Sequence, residues 1–126
     1  MAMTTQLANQ IANVTVRNGT YTTPGNVYAA LYTTVLTAAG TGTEVVGNGY
    51  SRQLTTFSAP ANSEVASNTA VTFSCSGNAW PTVIAFAIVD SSSGGNMMYY
   101  KNISGRNIKP GDDLVFDSGD ISIVIG

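Results

Sequence analysis

The stretch PTVIAFAIVD, residues 81–90, is the most hydrophobic run of the chain. Its side chains alternate, with Ile84, Phe86 and Ile88 on one side and Val83, Ala85, Ala87 and Val89 on the other. Because both sides are apolar, the run predicts a strand in the hydrophobic core of a β-sheet.

The run NVYAALYTT, residues 26–34, has the same character. It places Val27, Ala29 and Leu31 on one face and Tyr28, Ala30 and Tyr32 on the other, which predicts a second central strand. Shorter strand patterns occur at residues 43–46, 50–58, 69–75, 97–103, 114–116 and 121–125, separated by turns rich in glycine, proline, serine and aspartate. Short strands with turn signals every ~8–12 residues predict a mainly β fold, an antiparallel β-sandwich or barrel.

The N-terminal segment, residues 1–20, differs from the β-domain predicted for residues 21–126. Leu7, Ile11 and Val14 follow each other at i, i+4 and i+7, which predicts either a short amphipathic helix or an extended arm. Thr4 or Thr5 is a suitable N-cap, and Asn18-Gly19 a suitable end. The stripe needs a surface to lie on, either the chain's own domain or a neighbouring subunit. We expect its three apolar residues to contact a partner.

Composition limits the classes of partner. The chain has 126 residues, which suits one domain, and only 10% of them are charged against a typical ~25%. The net charge of -2 gives neither the basic surface of a nucleic-acid-binding protein nor a polybasic membrane patch. No apolar window approaches the ~18 residues of a membrane span, and no signal-peptide pattern opens the chain. A weakly charged surface suits a protein that is partly covered by neighbours, and we expect no nucleic-acid or membrane partner.

Residue types needed for common enzyme sites are missing. The chain has no histidine and one cysteine, Cys75, which excludes a Ser-His-Asp triad, a histidine metal site and a CxxC zinc site. Cys75 ends the alternating run Val71, Phe73, Cys75, which predicts a buried core thiol. No phosphate-binding loop occurs. We expect no enzymatic activity and no cofactor.

Four aspartates lie within nine residues: Asp112, Asp113, Asp117 and Asp120. Such a group could chelate calcium. The first two follow Pro110-Gly111 and the other two flank Ser118-Gly119, and aspartate is a common turn residue in both settings. We therefore expect turns rather than a metal site.

The segment GTEVVGNGYSRQ, residues 42–53, contains Glu44 and Arg52. A three-residue loop at Gly47-Asn48-Gly49 would make a hairpin and place the two charges directly opposite each other. Such a cross-strand ion pair contributes about 0.2–1 kcal/mol. No second acid, base or nucleophile lies nearby in the sequence, so we expect a structural pair rather than a catalytic one.

The segments YTTPGNVYAALYTT, GTEVVGNGYSRQ, Trp80 with VIAFAIVDSSSGGNMMYY, and GDDLVFDSGDISIVI together resemble small tail-fibre-like and head-decoration (cement) virion proteins of tailed bacteriophages. The resemblance implies a non-enzymatic structural protein built of β-strands. Two features depart from it: Pro81 follows Trp80, and apolar Val35-Leu36 stands where a polar loop is expected. The second departure predicts a contact patch at Val35 and Leu36.

The resemblance leads to one main functional hypothesis and one alternative within the virion, and a third hypothesis comes from another class of protein. The first is a capsid decoration protein on the outer capsid surface, binding the major capsid protein and itself as a homotrimer. The second is a tail-fibre or tail-tip component that binds the host through Tyr28, Tyr32, Tyr99 and Tyr100. The third is a carbohydrate-binding module, whose exposed aromatic platform would use Trp80 and the tyrosines. Core packing of these aromatic side chains is the simpler alternative to both binding roles.

Overall fold

The structure, a computed structural model, describes residues 1–125, which form one helix and nine strands. The elements are β1 (Ala2–Met3), α1 (Thr5–Val16), β2 (Val27–Tyr32), β3 (Gln53–Thr55), β4 (Glu64–Ala66), β5 (Val71–Ser74), β6 (Val83–Val89), β7 (Met97–Arg106), β8 (Asp113–Phe116) and β9 (Ser122–Val124). The expectation of a mainly β chain with a short N-terminal helix is confirmed.

The strands form one large sheet and two small ones. The large sheet has the order β1-β7-β6-β2-β3, and the small sheets pair β4 with β9 and β5 with β8. All pairs are antiparallel. One core cluster joins β2 and β6 of the large sheet to β5, β8 and β9 of the small sheets. The predicted antiparallel fold is therefore confirmed, in its sandwich-like form.

Strands β2 and β6 lie side by side at the centre of the large sheet, with Ala30 opposite Ala87 and Leu31 opposite Phe86. As the alternation predicts, Ala29 and Leu31 face the sandwich core and Ala30 and Tyr32 face the other side. The prediction fails at the start of β6. A register shift between Val83 and Ala85 turns Val83 into the sandwich core, on the side of Phe86 instead of the side of Ala85.

The outer face of the large sheet is covered by the loop at residues 33–43. Ala30, Ala85 and Ala87 on this face are fully buried, and their small side chains let the loop approach closely. Leu36 packs there at 2% exposure, while Asn102 of β7 accepts from its N–H at 2.8 Å and donates to its C=O at 3.0 Å. The expected contact patch is therefore wrong for Leu36, and only Val35, at 65%, is exposed.

Helix α1 is held to the sheet at its first turn. Ala2 and Met3 pair with Tyr100 and Tyr99 of β7, so β1 is an edge strand of the large sheet. The N-cap Thr4 is fully buried and its hydroxyl donates to the Met97 carbonyl at 2.8 Å. The helix ends at Val16, and Asn18 follows it in the left-handed region at a φ of 55°.

The apolar residues of the predicted stripe become more exposed towards the C-terminal end of α1. Leu7 is 3% exposed, Ile11 is half-buried and Val14 is 40% exposed. Leu7 therefore packs within its own domain, which corrects its assignment to a partner contact. The end of the stripe keeps an apolar surface open.

Candidate functional site

Arg52 binds three parts of the chain together. Its Nε and Nη2 donate to the two carboxylate oxygens of Glu44, each at 2.9 Å. Its Nη1 donates to the carbonyls of Ser91 and Gly94, both at 2.8 Å. Four bonds thus fix one guanidinium between residue 44 and the turn that joins β6 to β7.

Tyr50 connects this ion pair to the core. Its hydroxyl donates to Glu44 Oε2 at 2.5 Å and accepts from the Leu31 N–H of β2 at 3.0 Å. Its ring lies parallel to Phe73, with ring centroids 6.0 Å apart, and edge-on to Trp80 at 5.7 Å. The hydroxyl thus satisfies the N–H of Leu31, whose carbonyl accepts from the backbone N–H of Val45 at 3.1 Å.

The surroundings of Arg52 favour neutral phenols at Tyr32 and Tyr50 and a charged guanidinium. Burial, followed by the hydrogen bond to Glu44, raises the pKa of Tyr50. Burial, followed by the charge of Glu44, also raises the pKa of Tyr32, and the hydrogen bonds that Arg52 donates to Glu44 raise the pKa of Arg52. At neutral pH both phenols are therefore neutral and the guanidinium is charged, so neither tyrosine is poised as a base.

The two charges meet, but the predicted hairpin register is wrong. Glu44 lies opposite Tyr32 of β2 in an isolated bridge, and Arg52 precedes β3 instead of facing Glu44 across a ladder. The loop at residues 47–49 does not stand at the tip of a hairpin. Its Asn48 carbonyl accepts from Ser76 N–H at 2.9 Å and from Trp80 Nε1 at 3.0 Å.

Gly49 explains why this loop docks where it does. Its φ is 84°, a conformation that side chains other than glycine rarely adopt, and a Cβ there would lie 3.1 Å from the Ser74 carbonyl. Only glycine lets the two backbones approach this closely. Gly49 therefore permits a long-range contact between this loop and residues 74–80.

Two of the four aspartates accept hydrogen bonds in turns, whereas Asp113 is the first residue of β8. Asp112 Oδ2 accepts from Lys109 N–H at 3.1 Å, and Asp120 Oδ2 accepts from Asp117 N–H at 2.9 Å. Within the described residues 1–125, no three aspartate, glutamate, cysteine or histidine side chains come together in a group that could hold a metal ion.

The aromatic side chains pack inward. Trp80 is 4% exposed and Tyr32 is 5% exposed, so the predicted surface roles of these two are wrong. Tyr28, Tyr99 and Tyr100 are half-buried, and burial raises the pKa of Tyr99. In the part of the chain that the structure describes, every aromatic residue is buried or half-buried, so no exposed aromatic platform exists there. Cys75 is buried, as predicted.

The residues around Arg52 line one cleft of about 270 Å³, here called the Arg52 cleft. A second cleft lies between α1 and the turn that joins β6 to β7. Gln6 and Gln10 of α1 form one wall, Asp90 and Asn96 form the other, and Tyr21 contributes from the segment after the helix. Its volume is about 270 Å³. The local sequence does not predict this cleft, because its residues come from three distant segments of the chain. The one available signal was the pair of glutamines four residues apart on a predicted helix.

Exposed large apolar side chains also occur away from α1, among them Leu54, Val115, Val124 and Ile125. Val35 lies in the loop at residues 33–43, and Val46, which is 82% exposed, lies beside the Arg52 cluster. The first turn of α1 contacts the loop at residues 33–43, since Thr5 N–H donates to the Ala38 carbonyl at 2.8 Å. Over residues 1–125, the structure contains no helix long and apolar enough to cross a membrane.

Comparison with known proteins identifies the family. No curated protein sequence matches the chain. A family model described as "Podophage GP4 fiber I protein gp80" matches residues 2–124, which include both clefts, the helix and all nine strands. The resemblance to small tail-fibre-like phage proteins is thereby confirmed, and the chain belongs to the family of the podophage GP4 fiber I protein gp80.

Proposed function

We propose that this phage virion structural protein is a non-enzymatic subunit of a tail fibre that joins its neighbours through the open face of α1. The family match over residues 2–124 supports the fibre part of the proposal, because the matching family is described by a fiber protein. The Arg52 cluster supports a structural role, because Glu44, Tyr50 and Arg52 bond to each other and to the backbone instead of to an open reaction site.

The observation that carries this proposal is the exposure of the α1 stripe. The helix is fixed by Thr4 and Leu7, whereas Val14 at its far end is 40% exposed. Isolated helices of about twelve residues are marginally stable in water, so the far end would gain from a second surface. Burial of ~300 Å² of apolar surface at ~25 cal/mol/Å² outweighs the cost of ordering a few side chains.

The low charge of the surface fits the same role. Only 10% of the residues are charged, so a neighbouring subunit covers few groups that would have to lose their hydration. Association of three copies into a homotrimer stays a prediction from the sequence, which native mass spectrometry of the purified chain would test.

Location on the virion tests the proposal directly. We expect gold-labelled antibodies against the chain to bind at the tail of intact particles. Label spread over the head shell would overturn the fibre proposal and favour a decoration protein bound to the major capsid protein. Particles lacking the chain serve as the control for antibody specificity.

A further inference from the structure

The cleft between α1 and the β6–β7 hairpin, here called the α1 cleft, contains polar side chains with free hydrogen-bonding capacity. Within residues 1–125, no protein group bonds to the side-chain amides of Gln6, Gln10 or Asn96 or to the hydroxyl of Tyr21. None of these groups is a buried atom without a partner, so water reaches them. They are available to a ligand.

The walls of the cleft are fixed before any ligand arrives. Asp90 Oδ1 accepts from Asn96 N–H at 2.7 Å, and Asp90 N–H donates to the Asn96 carbonyl at 3.1 Å. Gly95 permits this closure, because its φ is 71° and an added Cβ would collide with the Asp90 carboxylate. The opposite wall is fixed by the buried Thr4 at the start of α1.

The two glutamines present a regular pair of groups. Gln6 and Gln10 are four residues apart in α1, so they lie on one face about 6 Å apart along the helix axis. Each amide offers two N–H donors and one oxygen acceptor. Across the cleft, the Asp90 carboxylate retains an oxygen, Oδ2, that accepts no bond from residues 1–125.

The amides and the carboxylate that line the cleft provide both hydrogen-bond donors and acceptors, which is the combination that hydroxyl groups need. A hydroxyl both donates and accepts, so neighbouring hydroxyls of one molecule can donate to a carboxylate and accept from amides. Asp90 is the one charged residue that lines the cleft among the described residues, and no cation lines it. An anionic ligand would therefore find a repulsive charge and no counter-charge, which favours a neutral ligand.

The size of the cleft limits the ligand to a small one. Its volume of about 270 Å³ is near the lower end of the ~300–1,000 Å³ typical of small-molecule sites. A neighbouring cleft of about 340 Å³ shares Gln6 and Asn96 and continues towards Gly40 and Thr41. Because they share these two residues, the two clefts adjoin each other.

We propose that the α1 cleft binds a neutral saccharide, with Gln6, Gln10 and Asn96 bonding to hydroxyl oxygens and Asp90 accepting from hydroxyl hydrogens. This binding function goes beyond the proposed structural role and does not depend on it. A failed titration would therefore leave the fibre assignment untouched, and label on the head shell would leave the saccharide site untouched.

Titration of the ¹⁵N-labelled full chain, followed by nuclear magnetic resonance, tests the proposal. The probes are the methyl glycosides of glucose, galactose, mannose and N-acetylglucosamine, together with maltose. We expect at least one probe to shift the side-chain amide signals of Gln6, Gln10 and Asn96 saturably in the millimolar range. We expect glucuronate, which is anionic, to bind more weakly than the matching neutral glycoside.

Matched variants separate the cleft from the rest of the helix. We expect Gln10→Ala to weaken binding about two- to ten-fold, since one neutral hydrogen bond is lost. Asn9→Ala, which removes an exposed amide of the same helix outside the cleft, should leave the affinity unchanged. Unchanged amide spectra would show that both variants remain folded.

Three outcomes would overturn the proposal. The first is the absence of saturable shifts with every saccharide probe. The second is a set of shifts that maps outside the α1 cleft or that Gln10→Ala leaves intact. The third is saturable binding of the peptide analogue N-acetylalanine methylamide in the cleft without binding of any saccharide, which would assign the free amides to a peptide partner.

Discussion

Two surface clefts of this molecule have the same volume, about 270 Å³, and use their polar side chains in opposite ways. In the Arg52 cleft, Glu44, Tyr50 and Arg52 bond to one another and to backbone groups. In the α1 cleft, the side-chain amides of Gln6 and Gln10 bond to no protein group within residues 1–125. Polar residues in a cleft therefore do not by themselves mark a binding site, and the distinguishing feature is whether their bonds are already made.

The difference follows from what each cleft must stabilise. The segment at residues 44–52 lies along the edge of β2, where Val45 N–H donates to the Leu31 carbonyl and the Tyr50 hydroxyl accepts from the Leu31 N–H. The helix needs no such side-chain bond, because Thr4 and Leu7 fix its first turn by burial. The glutamines beyond that turn remain free. Stability experiments should consequently separate the two clefts, with the shared core as the reference.

The reference is Phe86, in the central strand β6 of the large sheet. Phe86 is 3% exposed and its ring centroid lies 4.7 Å from that of Phe116. We expect Phe86→Ala to lower the free energy of unfolding by about 3–5 kcal/mol, because it leaves a cavity in the core. Ile84→Ala in the same strand, at a half-buried position, should cost less, and equal losses in urea denaturation would contradict the core assignment.

Arg52→Gln tests whether the Arg52 cleft is structural. Arg52 makes four hydrogen bonds and its side chain is only 10% exposed. We therefore expect the free energy of unfolding to fall by about 2–3 kcal/mol, more than the contribution expected of an ion pair across a simple hairpin. The loss stays below that of a fully buried pair because the Glu44 side chain is 24% exposed. Arg17→Gln, at an exposed helix end, is the control and should stay within about 0.5 kcal/mol.

Tyr50→Phe removes one hydroxyl from the same cleft. We expect a loss of about 1–2 kcal/mol at neutral pH, since Leu31 N–H and Glu44 each lose a partner. Chemical denaturation would measure it. A loss below about 0.3 kcal/mol would mean that water replaces the hydroxyl without cost and that the cleft tolerates an open edge.

Alkaline pH probes the same hydroxyl. The folded-state pKa of Tyr50 is raised above the ordinary tyrosine value of about 10, so its contribution is fully present below that pH. Above it the unfolded chain ionises first, and stability falls by up to about 1.4 kcal/mol per pH unit for this group. Tyr50→Phe should make the fall shallower. An unchanged slope would show that Tyr50 ionises as easily in the folded chain as in the unfolded one.

Gln10→Ala should have the smallest effect on stability. The amide makes no protein hydrogen bond within residues 1–125, and alanine is the better helix former, so we expect a change within about 0.5 kcal/mol. Thermal denaturation of Gln10→Ala beside Arg52→Gln compares the two clefts directly. A loss at Gln10 that equals the loss at Arg52 would show that the α1 cleft is also structural.

Local patterns predicted the central strands well and the loops less well. The two-residue period assigned Ala29, Leu31, Ala30 and Tyr32 to their correct faces, because a regular strand allows no other arrangement. Val83 was misplaced because a register shift is not encoded in the alternation itself. Leu36 was misplaced because the alanines that admit it lie in other strands.

Functional sites depended on contacts that the local sequence does not contain. The pairing of Glu44 with Arg52 was predictable from eight residues of separation, but the bonds from Arg52 to Ser91 and Gly94 span 39 and 42 residues. The α1 cleft combines residues 6–10, 20–22 and 90–98 and is visible only once the sheet is formed. The turn signals at Gly49 and Gly95 do not reveal the close contacts there, since the hairpin predicted around Gly49 is wrong and an added Cβ would meet Ser74 at one position and Asp90 at the other.

Incorporation into virions tests most directly whether the chain joins its neighbours through α1. Val14 and Val16 are exposed at 40% and 80%, and their two-residue separation places them on nearly opposite faces of the helix. Point variants are preferable to a deletion, because Ala2 and Met3 belong to the sheet. We predict that Val14→Glu, expressed in place of the parent chain, is depleted at least about ten-fold in purified particles by quantitative mass spectrometry, whereas Val16→Glu is incorporated normally. Equal incorporation of both variants would contradict the account.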